Sequence, residues 1–199
     1  MCRLFETIRI DHGRVMHAEW HEARMKSSRL ELWSCIDPVC LDEMIKIPDE
    51  WLTGVVQCNV TYGPHVESVT FKSYTKRSVS SLKMIEYNDI DYHLKKSDRS
   101  LLNVLFLQRD SCDEIIIVKD GFLTDTSISN LIFFDGKNWC TPEAPLLKGT
   151  CRQRLLHEGK IHERKIRVET LEQFAGLKLI NAMRQPDEEE MIPISAVVW

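Results

Sequence analysis

Residues 94–131 read LKKSDRSLLNVLFLQRDSCDEIIIVKDGFLTDTSISNL, and the remainder of the chain is organised around them. The stretch opens on a lysine pair, Lys95-Lys96, runs through an amphipathic helix, and enters a buried-type strand, Glu114 to Val118. A turn at Asp120-Gly121 follows. Thr124, Asp125, Thr126, Ser127, Ser129 and Asn130 then crowd short polar side chains into an otherwise apolar strand. Such residues prefer turns and caps, because their side chains compete for backbone hydrogen bonds. Within a strand they make sense where hydroxyls and backbone line a cavity for a polar ligand. A lysine at the start and an acid near the end are expected to face the same small molecule.

Working outward from there, Arg3 to Ile10 alternates as a strand, with Leu4, Glu6, Ile8 and Ile10 on one side and Phe5, Thr7 and Arg9 on the other. Asp11-His12-Gly13 is a hairpin-type turn into a short strand, Val15 to Ala18. Glu19 to Trp33, free of Pro and Gly, reads as a helix on which His21, Arg24, Met25 and Ser28 share a face. An arginine on that face is either a snorkelling surface group or a buried anion clamp, and burial statistics favour the surface. Val39 to Ile45 reads as a short helix, and Gly54 to Tyr62 and Val66 to Tyr74 as strands paired across Gly63-Pro64. Beyond the central stretch, Leu146 to Thr150 leads into a helix from Cys151 to His157. Lys165 to Val168, Leu177 to Met183 and Ile192 to Val198 read as strands, with a helix from Glu169 to Leu177.

Composition narrows the function classes. The 199 residues carry a net charge of −4 with no basic stripe, which argues against nucleic acid and an anionic membrane surface. The apolar runs are strand-sized, and the N-terminus lacks the apolar core of a signal peptide, so a cytoplasmic protein is expected. Seven cysteines without a CxxC pair suit reduced core thiols better than a disulfide scaffold or a zinc site, and no metal is expected. Strands dominate the first half and alternate with helices in the second. The expected fold is α+β or mixed α/β, with an N-terminal subdomain over 1–87, a linker at 88–93 and a C-terminal subdomain over 94–199. A cleft between them is expected to hold Lys95 or Lys96, Asp125, Arg24 and the amides around Gly149 to Cys151. A nucleophilic amine, an acid and two phosphate-binding elements are what a pyridoxal phosphate enzyme requires.

Several segments strengthen that reading. LFETIR (4–9), HEARMKSS (21–28), LKKSDR (94–99), DEIIIVKDGFLTD (113–125), ISNLIFF (128–134), CTPEAPLLKGTCRQRLL (140–156) and INAMR (180–184) occur in the order found in class IV aminotransferases. Through them the chain resembles that family, the fold type IV pyridoxal phosphate enzymes with a D-amino acid aminotransferase-like fold, and within it most nearly the 4-amino-4-deoxychorismate lyases. The resemblance implies pyridoxal 5'-phosphate as cofactor and a homodimer. It places the Schiff-base lysine at Lys95, with Lys96 as the alternative if the register slips. It places the pyridine-nitrogen acid at Asp125, where relatives carry Glu, and the phosphate ligands at Arg24, Gly149, Thr150, Cys151, Asn181 and Ala182. Arg24 thereby becomes an anion clamp rather than a surface group. Arg9, Arg99 and Ser127 are implied to touch substrate. Gln57 stands where many relatives have a basic residue, and the Arg-Gly-Tyr that often follows is missing after Gly63. The implied reaction is release of pyruvate and 4-aminobenzoate from aminodeoxychorismate, a folate precursor step. The alternatives are an aminotransferase on branched-chain or D-amino acids and a degenerate, non-catalytic relative.

Overall fold

The structure is a computed structural model that describes residues 2–199. It is a mixed α/β protein whose contacts separate it into two compact units. The first comprises the chain up to Lys76 together with Leu94–Asp98, and the second comprises Arg77–His93 with Arg99–Trp199. The linker expected at 88–93 lies inside the second unit. The strand after Lys76 pairs inside the second unit, and the lysine pair pairs inside the first.

In the first unit, β1 (Leu4–Asp11) turns through His12 and Gly13 into β2 (Arg14–Val15). A helix, α1 (Ala18–Trp33), a single turn, α2 (Leu41–Met44), and the hairpin of β3 (Val55–Tyr62) and β4 (Val66–Ser73) follow. The sheet order is β2-β1-β3-β4, antiparallel throughout. The alternation read in β1 is the one observed. Leu4, Ile8 and Ile10 join Val56, Cys58, Val60 and Tyr62 of β3 in a core closed by Met25, Leu41 and Ile45. Because β2 covers only Ile10 and Asp11, the other end of that β1 edge is open to pairing. Residues 94–97 fill it: Phe5 N donates to Lys95 O (3.1 Å), Ser97 N to Arg3 O (2.8 Å), and Leu4 bridges Lys96.

The second unit holds two sheets. One runs β13-β5-β6-β7, from β5 (Leu82–Glu86), β6 (Glu114–Lys119), β7 (Phe122–Leu123) and β13 (Val197–Val198). The other runs β10-β9-β8-β11-β12, from β8 (Asn130–Phe134), β9 (Trp139–Pro142), β10 (His162–Arg164), β11 (Gly176–Ile180) and β12 (Ile192–Pro193). Helices α3 (Ser100–Leu107) and α4 (Thr150–His157) complete the unit. Asp120 and Gly121 both take positive φ (52° and 75°), the conformation of a two-residue turn that matches strand twist, and glycine supplies it without a Cβ clash. Leu82, Ile116, Leu131, Phe133, Leu177 and Leu179 anchor the core.

Several expected elements are corrected. Val168–Gln173 is 3-10 helix rather than α-helix. Its buried Leu171 stands three residues before buried Phe174, the spacing that eclipses in a 3-10 turn. Ile192 to Val198 is split by a 3-10 turn at Ile194–Ala196, so that its ends join different sheets. Asn181 lies past the end of β11, in a turn closed by paired bonds between Asn181 and Arg184.

Candidate functional site

The first unit carries the lysine pair and a buried ion-pair cluster of Glu6, His21 and Arg24. The backbone of Lys95 is fixed by the edge of β1, and its Nζ lies 4.5 Å from the Phe5 ring centroid, a cation–π contact. Lys96 stands opposite Leu4. On the core side of β1, Glu6 is wholly buried and faces α1. His21 Nδ1 lies 2.6 Å from Glu6 Oε2, Arg24 Nε donates to Oε1 at 2.9 Å, and Arg24 Nη2 completes a fork on Oε2. Burial alone would raise the Glu6 pKa, but the Arg24 charge and the hydrogen bonds from His21 and Arg24 outweigh it and hold the carboxyl at about 2. Burial depresses the His21 pKa, so a neutral ring with its Nδ1–H directed at Glu6 satisfies both groups. Arg24 is therefore a half-buried arginine with a dedicated counter-ion. Arg9, on the opposite face of β1, is held by Asp11 through Nε (3.2 Å) and Nη2 (3.0 Å).

The second unit carries the acid and the uncapped helix start. Asp125 bridges Asn130 across a tight loop and is buried. Asn130 Nδ2 donates to its Oδ1 (2.7 Å) and Leu147 N to its Oδ2 (2.8 Å). Burial raises the Asp125 pKa to about 6, against those two bonds and the charge of Arg152. Between Asp125 and Asn130, the loop is tied on every side. Thr126 Oγ1 accepts from Ser129 N (2.9 Å), Arg99 Nη2 donates to Ser127 O (2.6 Å), and Asn181 Nδ2 donates to Ser129 Oγ (2.9 Å). Gly149 caps α4 with no side-chain cap, and Gln153 N to Gly149 O (2.9 Å) is the first helical bond. The first-turn amides of Thr150, Cys151 and Arg152 thus have no partner within the helix, and the positive end of its dipole points the same way. Burial pushes the Cys151 thiol up to about 11, which leaves it protonated and a poor nucleophile at neutral pH.

The structure brings Asp125, Arg99, Ser127 and Asn181 into one hydrogen-bonded neighbourhood and draws the loop before Gly149 into it. Ala182 sits in the adjoining turn, where its carbonyl accepts from Gln185 Nε2 (3.0 Å). Lys95, Lys96, Arg24 and Arg9 belong to the other unit. Sequence reasoning missed Glu6, His21 and Asn130, the residues bonded to the candidates Arg24 and Asp125 or to their partners. An acid on the apolar side of β1, level with a helix bearing His and Arg, was the available signal for Glu6. The donor set fits pyridoxal phosphate. The Asp125 oxygens accept from Asn130 and Leu147 and keep lone-pair capacity for a pyridine nitrogen, and the amides at Gly149–Cys151 suit a phosphate.

Comparison with known proteins agrees with these features. The sequence profile described as amino-transferase class IV matches residues 3–197. A Haemophilus influenzae protein of unassigned function is 40% identical over 185 residues, covering 92% of this chain and 98% of that one. A Haemophilus somnus crystal structure with the provisional name 4-amino-4-deoxychorismate lyase superposes with a TM-score of 0.87 at 37% identity, over 93% of this chain and 98% of that one. A hypothetical aminotransferase from Mycobacterium tuberculosis, in its pyridoxal-phosphate-bound form, shares the fold at a TM-score of 0.76 and 17% identity, over 96% of this chain and 80% of that one. The chain belongs to the amino-transferase class IV family of pyridoxal-phosphate-dependent enzymes.

Proposed function

We propose that the chain binds pyridoxal 5'-phosphate and cleaves 4-amino-4-deoxychorismate to 4-aminobenzoate and pyruvate, in the cytoplasm and as a homodimer. The observation that carries the cofactor assignment is Asp125, a buried carboxyl in the same hydrogen-bonded neighbourhood as an uncapped helix start. The choice of reaction rests on likeness to the Haemophilus somnus structure. Arg24, Gly149, Thr150, Cys151, Asn181 and Ala182 would hold the phosphate, Asp125 the pyridine nitrogen, and Lys95 the aldehyde carbon. When bound, the cofactor supplies an electron sink for the bond next to the substrate amine.

The chain supplies the rest. Ionised Asp125 stabilises a protonated pyridine, and this favours its charged form beyond what the unliganded burial allows. Freed when the substrate amine takes its place, the Lys95 amine would take the proton from the ring carbon that bears the substrate amino group. Loss of that proton aromatises the ring as the C–O bond to the enolpyruvyl group breaks, and the released enolpyruvate is protonated to pyruvate. Arg9, Arg99 and Ser127 would meet the substrate, the two arginines as partners for its carboxylates.

Borohydride reduction of the protein loaded with pyridoxal phosphate, followed by peptide mass mapping, tests the lysine. A pyridoxyl adduct on Lys95, lost in Lys95→Ala, is expected. An adduct on Lys96 moves the role by one residue, and none on either lysine sinks the reading. Pyruvate release from aminodeoxychorismate, followed through lactate dehydrogenase, tests the reaction. Amino transfer to a keto acid without pyruvate release would instead assign an aminotransferase.

A further inference from the structure

Two hydrogen bonds hold the Asp125 carboxyl, one from Asn130 at the start of β8 and one from Leu147 in the segment before α4. Asn130 Nδ2 donates to Oδ1 at 2.7 Å and also to Leu147 O at 2.8 Å. Leu147 N closes the circuit by donating to Asp125 Oδ2 at 2.8 Å. One carboxyl, one side-chain amide and both polar groups of Leu147 thus form a closed ring. The remaining polar atom of Asn130, Oδ1, presses on Gly149. A Cβ built on that glycine would lie 2.0 Å from it, well inside contact distance. The backbone of Asn130 is itself anchored, by the bridge to Asp125 on one side and by pairing with Ile180 of β11 on the other.

We propose that Asn130 is a positioning residue that clamps the Asp125 carboxyl to the segment leading into α4, so that acid and helix start are held as one rigid piece. The role rests on reading Asp125 and Gly149–Cys151 as two ends of the same cofactor site. Aspartate has one methylene fewer than glutamate, so its carboxyl has less freedom to adjust to a ligand and depends more on where the backbone puts it. Two residues next to the helix start are tied to Asn130, Leu147 through its carbonyl and Gly149 by contact, and the Leu147 amide also bonds the carboxyl directly. A purely structural filler at this position would have no need to donate twice. Its Oδ1 would also have no need of a glycine to make room.

The clamp makes a statement about the protein before any cofactor is added, and carbon-13 NMR of aspartate-labelled apo protein reads it. The Asp125 resonance is identified by its loss in Asp125→Asn. In Asn130→Ala the carboxyl loses a donor that favours its ionised form and should titrate about one unit higher than in the parent protein. Gly149→Ala should move the titration the same way by displacing Asn130. In the Asn130→Ala/Gly149→Ala double variant, the second substitution should add no further shift, because the atom it collides with is gone. An Asp125 titration unchanged in Asn130→Ala would overturn the clamp, as would a Gly149→Ala shift that persists undiminished in the double variant. Should Asn130→Ala fail to fold, Gly149→Ala carries the test, and an unchanged titration there overturns the proposal equally. Absorbance titration with pyridoxal phosphate separates the two readings. Shifts as expected with no cofactor uptake by the parent protein would refute the cofactor site and leave the clamp. Uptake with no shifts would refute the clamp alone.

Discussion

Glu6→Gln is the substitution whose consequence the structure sizes best. Gln keeps the volume and one acceptor of Glu6 but removes the charge, so Arg24 loses its fork and His21 its anionic acceptor. The carboxyl is held at about 2 against an ordinary 4.5, a difference that linkage converts to about 3 kcal/mol of folding stability at neutral pH. Breaking one side of a buried ion pair costs about 3–5 kcal/mol in other proteins, so two independent routes give the same order. The sign follows from the direction of the shift. A depressed carboxylate stabilises the fold above the unfolded-state value and loses that contribution as pH falls toward the folded-state value. Glutamine mimics the protonated form, so the gap between parent and variant should be about 3 kcal/mol at pH 7 and shrink to about half by pH 3. Urea unfolding followed by circular dichroism at both pH values, with unchanged m, measures it. A gap below about 1 kcal/mol at pH 7, or one equal at both pH values, would refute the account of Glu6 as the counter-ion of Arg24.

Asp125 should show the opposite pH dependence, because burial raises it to about 6 and its stabilising contribution is lost as pH rises through that value. Between pH 5 and 8, Asp125→Asn should therefore gain about 1 kcal/mol on the parent apo protein, and urea midpoints that stay parallel across that range would count against the raised value. Arg29 is buried and donates to Pro64 O through Nε (2.9 Å) and Nη2 (2.7 Å) and to Asp37 O through Nη1 (2.9 Å). Arg29→Met strips both carbonyls of their donor and should cost about 3 kcal/mol, read as a lowered thermal midpoint, whereas a change under about 1 kcal/mol would mean that water replaces the guanidinium.

What could be read in the sequence was whatever repeats at short range. The alternation of β1 placed Leu4, Ile8 and Ile10 on the core face, and the Asp120-Gly121 turn declared itself by residue type. The pairing of residues 94–97 with β1 could not be read this way. Lys95 and Lys96 suit a helix, but the short β2 leaves half an edge of β1 open some ninety positions earlier in the chain, and pairing there wins over local preference. Arg24 illustrates the same limit. Burial statistics average over arginines that have no acid beneath them, and only the packing of α1 on β1 brings Glu6 under this one.

The polar run from Thr124 to Asn130 falls between these cases. Its composition announced that something other than a plain strand was being built, yet it did not say what the side chains would bond. Asp125 finds one donor five residues away, which a local pattern can suggest, and the other at the Leu147 amide, 22 residues away. A carboxyl in an apolar strand is a net cost unless its donors arrive together, so the run and the loop before α4 form a single folding decision. Glu6 follows the same logic in the other unit, since its burial is tolerable only when His21 and Arg24 both reach it. The residues on which the proposed chemistry most depends are therefore those whose neighbours had to be supplied by tertiary structure. The lysines and glycines are conspicuous in the sequence alone, whereas the two buried acids become intelligible only with the partners that folding brings to them.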